Sequence, residues 1–342
     1  MFDPNAAALP DSGIFGLDST AESAKVVLIG VPWDATTSYR PGTHNGPEAI
    51  LEASKQVDLF DIETGKPYEA GIALVGDLEA VMSMNREARD DAELVIEAAG
   101  RVKGSAKLEA ALLRVNRAGE KLNALVYETA KKWLDHGKIV GLVGGDHSTP
   151  FGIIQAYAEK YRGLGILHID AHADLRRAYE GFEWSHASIM ENVHRKIPGV
   201  AKIVQFAIRD FCEEEHVRMR ESGKKIVTLF DVDLAKARRT GKFDAVIAEA
   251  VKELPENIYV SFDIDGLDPT LCPSTGTPVP GGISFHEAST ILGAAVAAGK
   301  KIVGFDLNEV APGEGDDEWD ANVGARVLYK LIGWTLVSHA GK

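Results

Sequence analysis

The sequence predicts an α/β protein in which helices cover both faces of a central, mostly parallel sheet. Short apolar runs rich in β-branched residues recur along the chain, bounded by Gly, Asp or Pro and separated by helical patterns. Runs of this kind are typical of strands buried on both faces of a parallel sheet. They lie at residues 26–30, 139–143, 165–169, 203–206, 258–262 and 301–305. Their alternation with helices predicts a layered α/β fold.

The composition is that of a globular protein with a full hydrophobic core. Of the 342 residues, 45% are hydrophobic and 26% are charged. The 37 Lys and Arg residues are outnumbered by 51 Asp and Glu, which gives a formal net charge of −14. Nucleic-acid binding needs clustered cations, whereas an acidic surface favours the approach of small cations. We therefore expect a small cationic substrate and no nucleic-acid partner.

Cysteine usage and the amino-terminal residues predict a cytoplasmic protein. No uncharged apolar run is long enough to span a membrane, and residues 1–13 lack the basic-then-apolar order of a signal peptide. The cysteines are Cys212 and Cys272, and neither belongs to a Cys-x-x-Cys pair. A disulfide framework and a thiolate zinc site are therefore not expected.

The chain is expected to form a single domain over residues 1–342, with a helical insertion at about residues 85–136. That segment is rich in Ala, Glu, Lys and Leu and carries leucines at helical spacing. It could form an extended arm on the surface or a pair of helices packed on the body. The packed pair is the preferred interpretation.

Three polar clusters follow predicted strands, at residues 144–148, 168–174 and 261–269. In the second cluster Asp170, His172 and Asp174 alternate, so their side chains project to one face where the chain is extended. Asp263 and Asp265 alternate in the same way in the third cluster. Functional groups of such folds lie at the carboxyl ends of the strands, where loops converge.

Carboxylates crowded at one sheet edge repel each other unless cations neutralise them. Two divalent ions would do so without excess charge. Carboxylate and imidazole ligands suit Mn²⁺ or Fe²⁺, and the absence of thiolates disfavours a structural zinc site, so manganese is the leading candidate. Any one such residue is more often a helix cap or a hydrogen-bonded core residue. Asp146, His168 and Asp268 are interpreted in that way, as core, turn-forming or supporting groups.

The three clusters closely resemble the signature motifs of the ureohydrolase family, which includes arginases and agmatinases. The residues that carry the resemblance are Gly-Gly-Asp-His-Ser at 144–148, Asp-Ala-His-Ala-Asp at 170–174 and Ser-Phe-Asp-Ile-Asp-Gly-Leu-Asp-Pro at 261–269. Further matches lie at residues 39–50, 275–282 and 306–312, while the helical segment from residue 85 falls outside the pattern. The resemblance implies a three-layer α/β/α arginase-like fold and, as in many family members, a homo-oligomer that is a trimer or hexamer.

The resemblance also implies a site for two manganese ions. One ion would be held by His147, Asp170, Asp174 and Asp263, and the other by Asp170, His172, Asp263 and Asp265. Asp170 and Asp263 would then bridge the ions. Two ions roughly 3.5 Å apart can share a water and lower its pKa enough to supply hydroxide near neutral pH.

Three more residues match the substrate-handling positions of the family. Glu309 matches the glutamate that binds the guanidinium, and Thr277 would be its neighbour in the pocket. His186 matches the histidine that transfers a proton to the leaving amine. The alternative for His186 is a histidine on a helix surface.

The implied reaction is hydrolysis of a small guanidino compound to urea and an amine, with agmatine as the preferred substrate. Residues 174–190 resemble the agmatinase pattern, and the Asn that arginases carry two places after the equivalent of Asp174 is absent. Arg176 and Arg177 would suit a carboxylate tail, whereas bulky Phe182 and Trp184 would suit guanidine itself.

The alternatives are therefore arginase, guanidinobutyrase, guanidine hydrolase and formimidoylglutamase. More remote ones are a metal-binding protein without activity and a phosphoester hydrolase, for which the sequence offers no Gly-rich phosphate cradle.

Overall fold

A single sheet organises the chain in the computed structural model, which describes residues 3–313, 315 and 317–340. Within those residues, eight strands lie in the order β2-β1-β3-β8-β7-β4-β5-β6, and every pairing is parallel. The strands are β1 (Val26–Val31), β2 (Ile72–Val75), β3 (Ile139–Gly144), β4 (Leu164–Ile169), β5 (Val200–Ile208), β6 (Ile226–Phe230), β7 (Asn257–Asp263) and β8 (Lys301–Asn308). The predicted parallel sheet is confirmed.

Helices cover both faces of this sheet. They are α1 (Gly46–Ser54), α2 (Leu78–Glu97), α3 (Ala106–Asp135), α4 (Phe151–Lys160), α5 (Ile189–Lys196), α6 (Glu213–Glu221), α7 (Asp231–Arg239), α8 (Phe243–Lys252), α9 (Phe285–Ala297) and α10 (Trp319–His339). One apolar core joins the sheet to α1 and α7 to α10, and a second joins it to α2 to α6. The predicted three layers are therefore confirmed. Across the described ranges, no helix has the length and apolar character needed to cross a membrane.

The sequence pattern identified the six inner strands and missed the two at the edges. The inner strands β1, β3 and β4 are buried along their whole length, as continuous β-branched runs predict. The edge strands β2 and β6 are only partly buried. Because an edge strand has a neighbour on one side alone, its sequence carries a weaker apolar signal.

The segment predicted as helical at about residues 85–136 forms the two packed helices α2 and α3. Helix α2 begins before that boundary, at Leu78, where the Asp77 side chain accepts a hydrogen bond from the Ala80 amide at 3.0 Å. Helix α3 also packs closely on α4, because a Cβ on Gly152 would lie 2.2 Å from the Asn123 carbonyl oxygen. The pair thus lies on the body of the protein rather than extending as an arm. Its status as an insertion stays a prediction.

Candidate metal centre and active site

The four central strands of the sheet carry the polar motifs. In the sheet order, β3, β8, β7 and β4 are consecutive neighbours. His147 follows β3, Asp170 follows β4, Asp263 ends β7 and Glu309 follows β8. Because the strands are parallel, their carboxyl ends meet at one edge, which brings together residues that are far apart in the sequence.

His147 faces three carboxylates through a single ring nitrogen. Its Nδ1 lies 3.0 Å from Asp170 Oδ2, 3.3 Å from Asp174 Oδ2 and 3.3 Å from Asp263 Oδ2. These side chains are all buried. The arrangement places the four residues predicted for the first ion around one point.

His172 faces the second half of the cluster. Its Nδ1 lies 3.0 Å from Asp265 Oδ2 and 3.5 Å from Asp170 Oδ1. The two carboxylate oxygens of Asp170 therefore point towards different histidines, as a bridging ligand requires. Among the described residues, two groups of potential ligand atoms, each within 4.8 Å of one another, share Asp170: His147, His168, Asp170 and Asp174, and Asp170, His172 and Asp265.

A hydrogen-bonded chain orients the His147 ring. Its Nε2 lies 2.9 Å from Ser261 Oγ, and the Ser261 hydroxyl donates to Asp306 Oδ1 at 3.0 Å. If Nε2 carries the proton and donates it to Ser261, the Nδ1 lone pair is directed at the carboxylates. The sequence pattern contained Ser261 and Asp306 within its motifs but gave them no role, although Ser261 alternates along β7 with Asp263.

A second chain orients Asp170. The Gln205 side-chain amide donates to the Ala173 carbonyl at 2.8 Å and lies 3.0 Å from His168 Nδ1. His168 Nδ1 then accepts, so its Nε2 carries the proton and donates to Asp170 Oδ2 at 2.8 Å. The interpretation of His168 as a hydrogen-bonded core residue therefore fits the structure, and its contact fixes the bridging carboxylate.

Burial sets the ionisation of the carboxylates. It raises the pKa of Asp174 to about 7, with the Asp170 charge adding to the effect. Burial and the neighbouring Asp265 raise the pKa of Asp263 well above its ordinary range. Burial alone would also raise the pKa of Asp170, but the contacts with His168 and His147 outweigh it and hold that pKa well below its ordinary range. Without a cation, the cluster must therefore hold protons.

The backbone is strained at two site residues. Asp174 and Glu309 have φ values of 55° and 63°, in the left-handed region that non-glycine residues rarely adopt. Each is held there by backbone hydrogen bonds, from the Glu191 amide to the Asp174 carbonyl at 3.0 Å and from the Glu309 amide to the Gly145 carbonyl at 2.8 Å. Such strain costs about 1–3 kcal/mol and is concentrated at functional sites.

Glu309 lies beside the carboxylate cluster. Its Oε1 accepts a hydrogen bond from the His147 amide at 2.9 Å. Burial and the neighbouring Asp146 raise the pKa of this carboxyl well above its ordinary range. The Thr277 hydroxyl donates to Asp265 Oδ2 at 3.4 Å, and a Cβ on the adjacent Gly276 would lie 3.6 Å from Glu309 Oε2.

A cavity of about 200 Å³ opens onto the cluster. The predicted site residues that line it are His172, Asp174, His186 and Thr277. His147, Asp170, Asp263, Asp265 and Glu309 are buried. The rest of the wall consists of Ser38, Tyr39, Arg176, Tyr179, Ala187, Asp210, Phe211 and Glu215.

His186 faces the cavity rather than an open helix surface. Its Nδ1 is buried and has no hydrogen-bond partner within the described part of the chain. Burial, reinforced by the neighbouring His172, lowers the pKa of His186 to about 4. The ring is therefore neutral at pH 7, and its Nδ1 is unpaired.

Other side chains weighed from the sequence have structural positions. Asp268 forms a turn by accepting from the Thr270 amide at 2.9 Å, and Asp146 accepts from the Ser148 amide at 2.9 Å. Phe182 and Trp184 are not among the cavity-lining residues, so the idea that they narrow the pocket to guanidine was wrong. Phe182 is instead fully buried in an apolar cluster, and the Trp184 ring packs on another aromatic side chain.

Comparison with known proteins places the chain in a family. The model of the arginase family matches residues 24–333. The chain belongs to the arginase family. An N(1)-aminopropylagmatine ureohydrolase of Thermus thermophilus is 33% identical over 323 residues, 94% of each chain. An agmatinase of Bacillus anthracis is 33% identical over 319 residues, 92% of this chain and 93% of the relative.

Solved structures share the arginase fold with this chain. The agmatine ureohydrolase of Thermoplasma volcanium matches with a TM-score of 0.72 at 23% identity, over 94% of this chain and 93% of that one. The proclavaminate amidino hydrolase of Streptomyces clavuligerus matches with a TM-score of 0.73 at 24% identity, over 98% and 100%. The predicted arginase-like fold is therefore confirmed.

Metal removal should make stability depend on pH. The folded pKa of Asp174 is raised from its ordinary 3.8 to about 7. Between those values the folded metal-free chain holds a proton that the unfolded chain has lost, so stability falls as pH rises through this window. A bound cation offsets that loss by stabilising the ionised carboxylate.

The measurement is Tm with and without manganese at pH 5 and pH 8. We expect the gain in Tm from manganese to be larger at pH 8. Groups that titrate far from the site change the Tm equally with and without manganese, so their effect cancels in the gain in Tm. An equal gain at both pH values would contradict the description of the site.

Proposed function

We propose that this chain hydrolyses a small cationic guanidino compound to urea and an amine, with two manganese ions held by the carboxylate and histidine cluster. The observation that carries the proposal is the shared position of Asp170 between His147 and His172, with the Glu309 carboxylate held beside it. The names of the relatives, agmatinase and N(1)-aminopropylagmatine ureohydrolase, support the same reaction class.

The donor set fits hard divalent cations. Its atoms are carboxylate oxygens and imidazole nitrogens, and the buried thiol of Cys272 instead contacts the Ile264 carbonyl oxygen at 3.2 Å. One ion would take His147, Asp170, Asp174 and Asp263, and the other Asp170, His172, Asp263 and Asp265. Two such ions, when bound, acidify a water and act as Lewis acids.

Glu309 would bind the guanidinium of the substrate. The His147 amide fixes one of its oxygens at 2.9 Å, so the carboxylate has a set orientation before the substrate arrives. A planar cation paired with this carboxylate would be held in one plane by charge-assisted hydrogen bonds. The cation would also favour the ionised form of Glu309, whose pKa is otherwise raised by burial.

His186 would supply the proton that the leaving amine needs. Its ring lines the cavity, is neutral at pH 7 and has an unpaired Nδ1. A neutral imidazole can accept a proton from the water that attacks the guanidino carbon and return it to the departing nitrogen. Thr277, which donates to Asp265, would hold that carboxylate in place.

The cavity walls favour a cationic tail. Asp210 and Glu215 line it together with the aromatic side chains of Tyr39 and Phe211, which suit an alkyl stem that ends in an ammonium group. Agmatine is the simplest compound of this kind. We further propose a cytoplasmic homo-oligomer, a trimer or hexamer, on the family resemblance.

A carboxylate tail, as in guanidinobutyrate, is the second candidate because Arg176 also lines the cavity. Its Nε lies 3.6 Å from Glu215 Oε2, so its charge is already partly balanced. Arg177 is largely exposed and is absent from the cavity wall.

The substrate assignment predicts a ranking of kcat/KM after manganese loading. Agmatine should exceed arginine, 4-guanidinobutyrate and guanidine when urea is measured, and formimidoylglutamate when formamide is measured. Specificity is a ratio of these constants. Arginine ahead of agmatine by more than about tenfold, or ~1.4 kcal/mol, would refute the substrate assignment. Release of urea from none of the guanidino compounds would refute the reaction itself.

Two substitutions should separate metal binding from substrate binding. Asp170→Asn removes the shared ligand, whereas Glu309→Gln removes the charge that pairs with guanidinium. Each should lower kcat/KM by at least about a hundredfold, the scale of losing one well-placed electrostatic partner. Elemental analysis should find less bound manganese in the Asp170→Asn protein but not in the Glu309→Gln protein. A Glu309→Gln protein that loses its metal would contradict the assigned role.

A further inference from the structure

A short hairpin forms one wall of the cavity. Tyr179 and Phe182 pair through two backbone hydrogen bonds, of 3.1 Å and 2.8 Å, within residues 178–186, here called the second rim loop. Tyr179 faces the cavity, and the loop ends at His186, which begins a short 3-10 helix. The position of both side chains therefore depends on what holds this loop.

Phe182 anchors the second rim loop between α2 and α3. It is fully buried and belongs to an apolar cluster separate from the two cores on the sheet. The other buried members of that cluster are Ala92 and Val95 of α2 and Ala111 and Val115 of α3. The phenylalanine thus fills the space between the two helices.

Polar and backbone contacts reinforce this anchor. The Asn116 side chain on α3 accepts from the Glu183 amide at 2.9 Å and donates to the Gly181 carbonyl at 3.2 Å. Beyond the end of α2, a Cβ on Gly100 would lie 2.8 Å from the Cα of Glu180, so the two backbones are in direct contact. Asn116 therefore satisfies backbone groups on both sides of Phe182.

Helix α2 also holds another part of the cavity wall. Residues 34–39, here called the first rim loop, contribute Ser38 and Tyr39 to the cavity. On α2, the Asn85 side chain accepts from the Asp34 amide at 2.9 Å and donates to its carboxylate at 3.0 Å. Arg89, one turn further along α2, donates to the Thr37 carbonyl.

We propose that α2 and α3 form the positioning scaffold of the active site, in which Asn116 fixes the second rim loop, which carries Tyr179 and His186, and Asn85 fixes the first rim loop. Both rim loops are attached to this pair of helices, so the pair positions the part of the cavity wall that Ser38, Tyr39, Tyr179 and His186 form. A displacement of about 1 Å of a catalytic group can lower a rate a hundredfold. The expected effect on turnover rests on the proposed function, in which His186 is such a group.

Asn116→Ala tests the scaffold, with Leu113→Ala as its control. Leu113 lies on α3 three residues earlier, is 50% exposed and takes no part in the cluster around Phe182. Hydrogen exchange should show faster exchange at the amides of residues 179–186 in Asn116→Ala and unchanged exchange in Leu113→Ala. Asn85→Ala should instead speed exchange in residues 34–39.

Kinetics on the manganese-loaded proteins give the second readout. Asn116→Ala should lower kcat about tenfold with unchanged manganese content, because His186 is displaced while the metal ligands are not. Asn116→Asp keeps the acceptor for the Glu183 amide and loses the donor, so its kcat should lie between those of wild type and Asn116→Ala.

Three outcomes decide the matter. Faster exchange confined to residues 179–186, together with the loss of kcat, supports the scaffold. Unchanged exchange in that loop, or faster exchange spread over the whole chain, overturns it. If wild type releases no urea but exchange still changes only in the loop, the scaffold stands and the proposed function fails.

Discussion

The mutual repulsion of buried carboxylates is the constraint on which the rest of the site depends. Asp170, Asp174 and Asp263 place oxygens around His147 Nδ1 at 3.0 to 3.3 Å, and all three side chains are buried. Ionised together, they are not stable at low dielectric unless cations lie among them. A sheet whose central strands all end at one edge builds such a cluster, and the protons or metal ions that it holds then determine its chemistry.

The surrounding structure keeps these donors from relaxing apart. Ser261 and Gln205 lie on β7 and β5, and each contacts a histidine ring of the cluster. The left-handed backbone at Asp174 and Glu309 is a further sign that the fold imposes the geometry. Part of the cavity wall is held differently, by α2 and α3 through the two rim loops.

Much of this architecture could be predicted from the sequence, and the rest required three-dimensional neighbours. The alternation of Asp170, His172 and Asp174 predicted that their side chains lie together. The structure brings them together after the end of β4 rather than along it, with Asp174 in a left-handed backbone conformation. The roles of His186 and Glu309 came from resemblance to a family. The Asn116 contact with Gly181 joins residues 65 positions apart and has no local pattern. The edge strands β2 and β6 were missed because partial burial leaves a weak apolar signal.

The number of metal ions per chain tests the central claim most directly. Purified protein should be stripped of metal, reloaded with manganese, freed of excess ion and measured by elemental analysis together with the protein concentration. We predict close to two manganese ions per chain, because the two halves of the cluster share Asp170. A reproducible single zinc ion per chain, with no manganese taken up, would contradict a dinuclear centre.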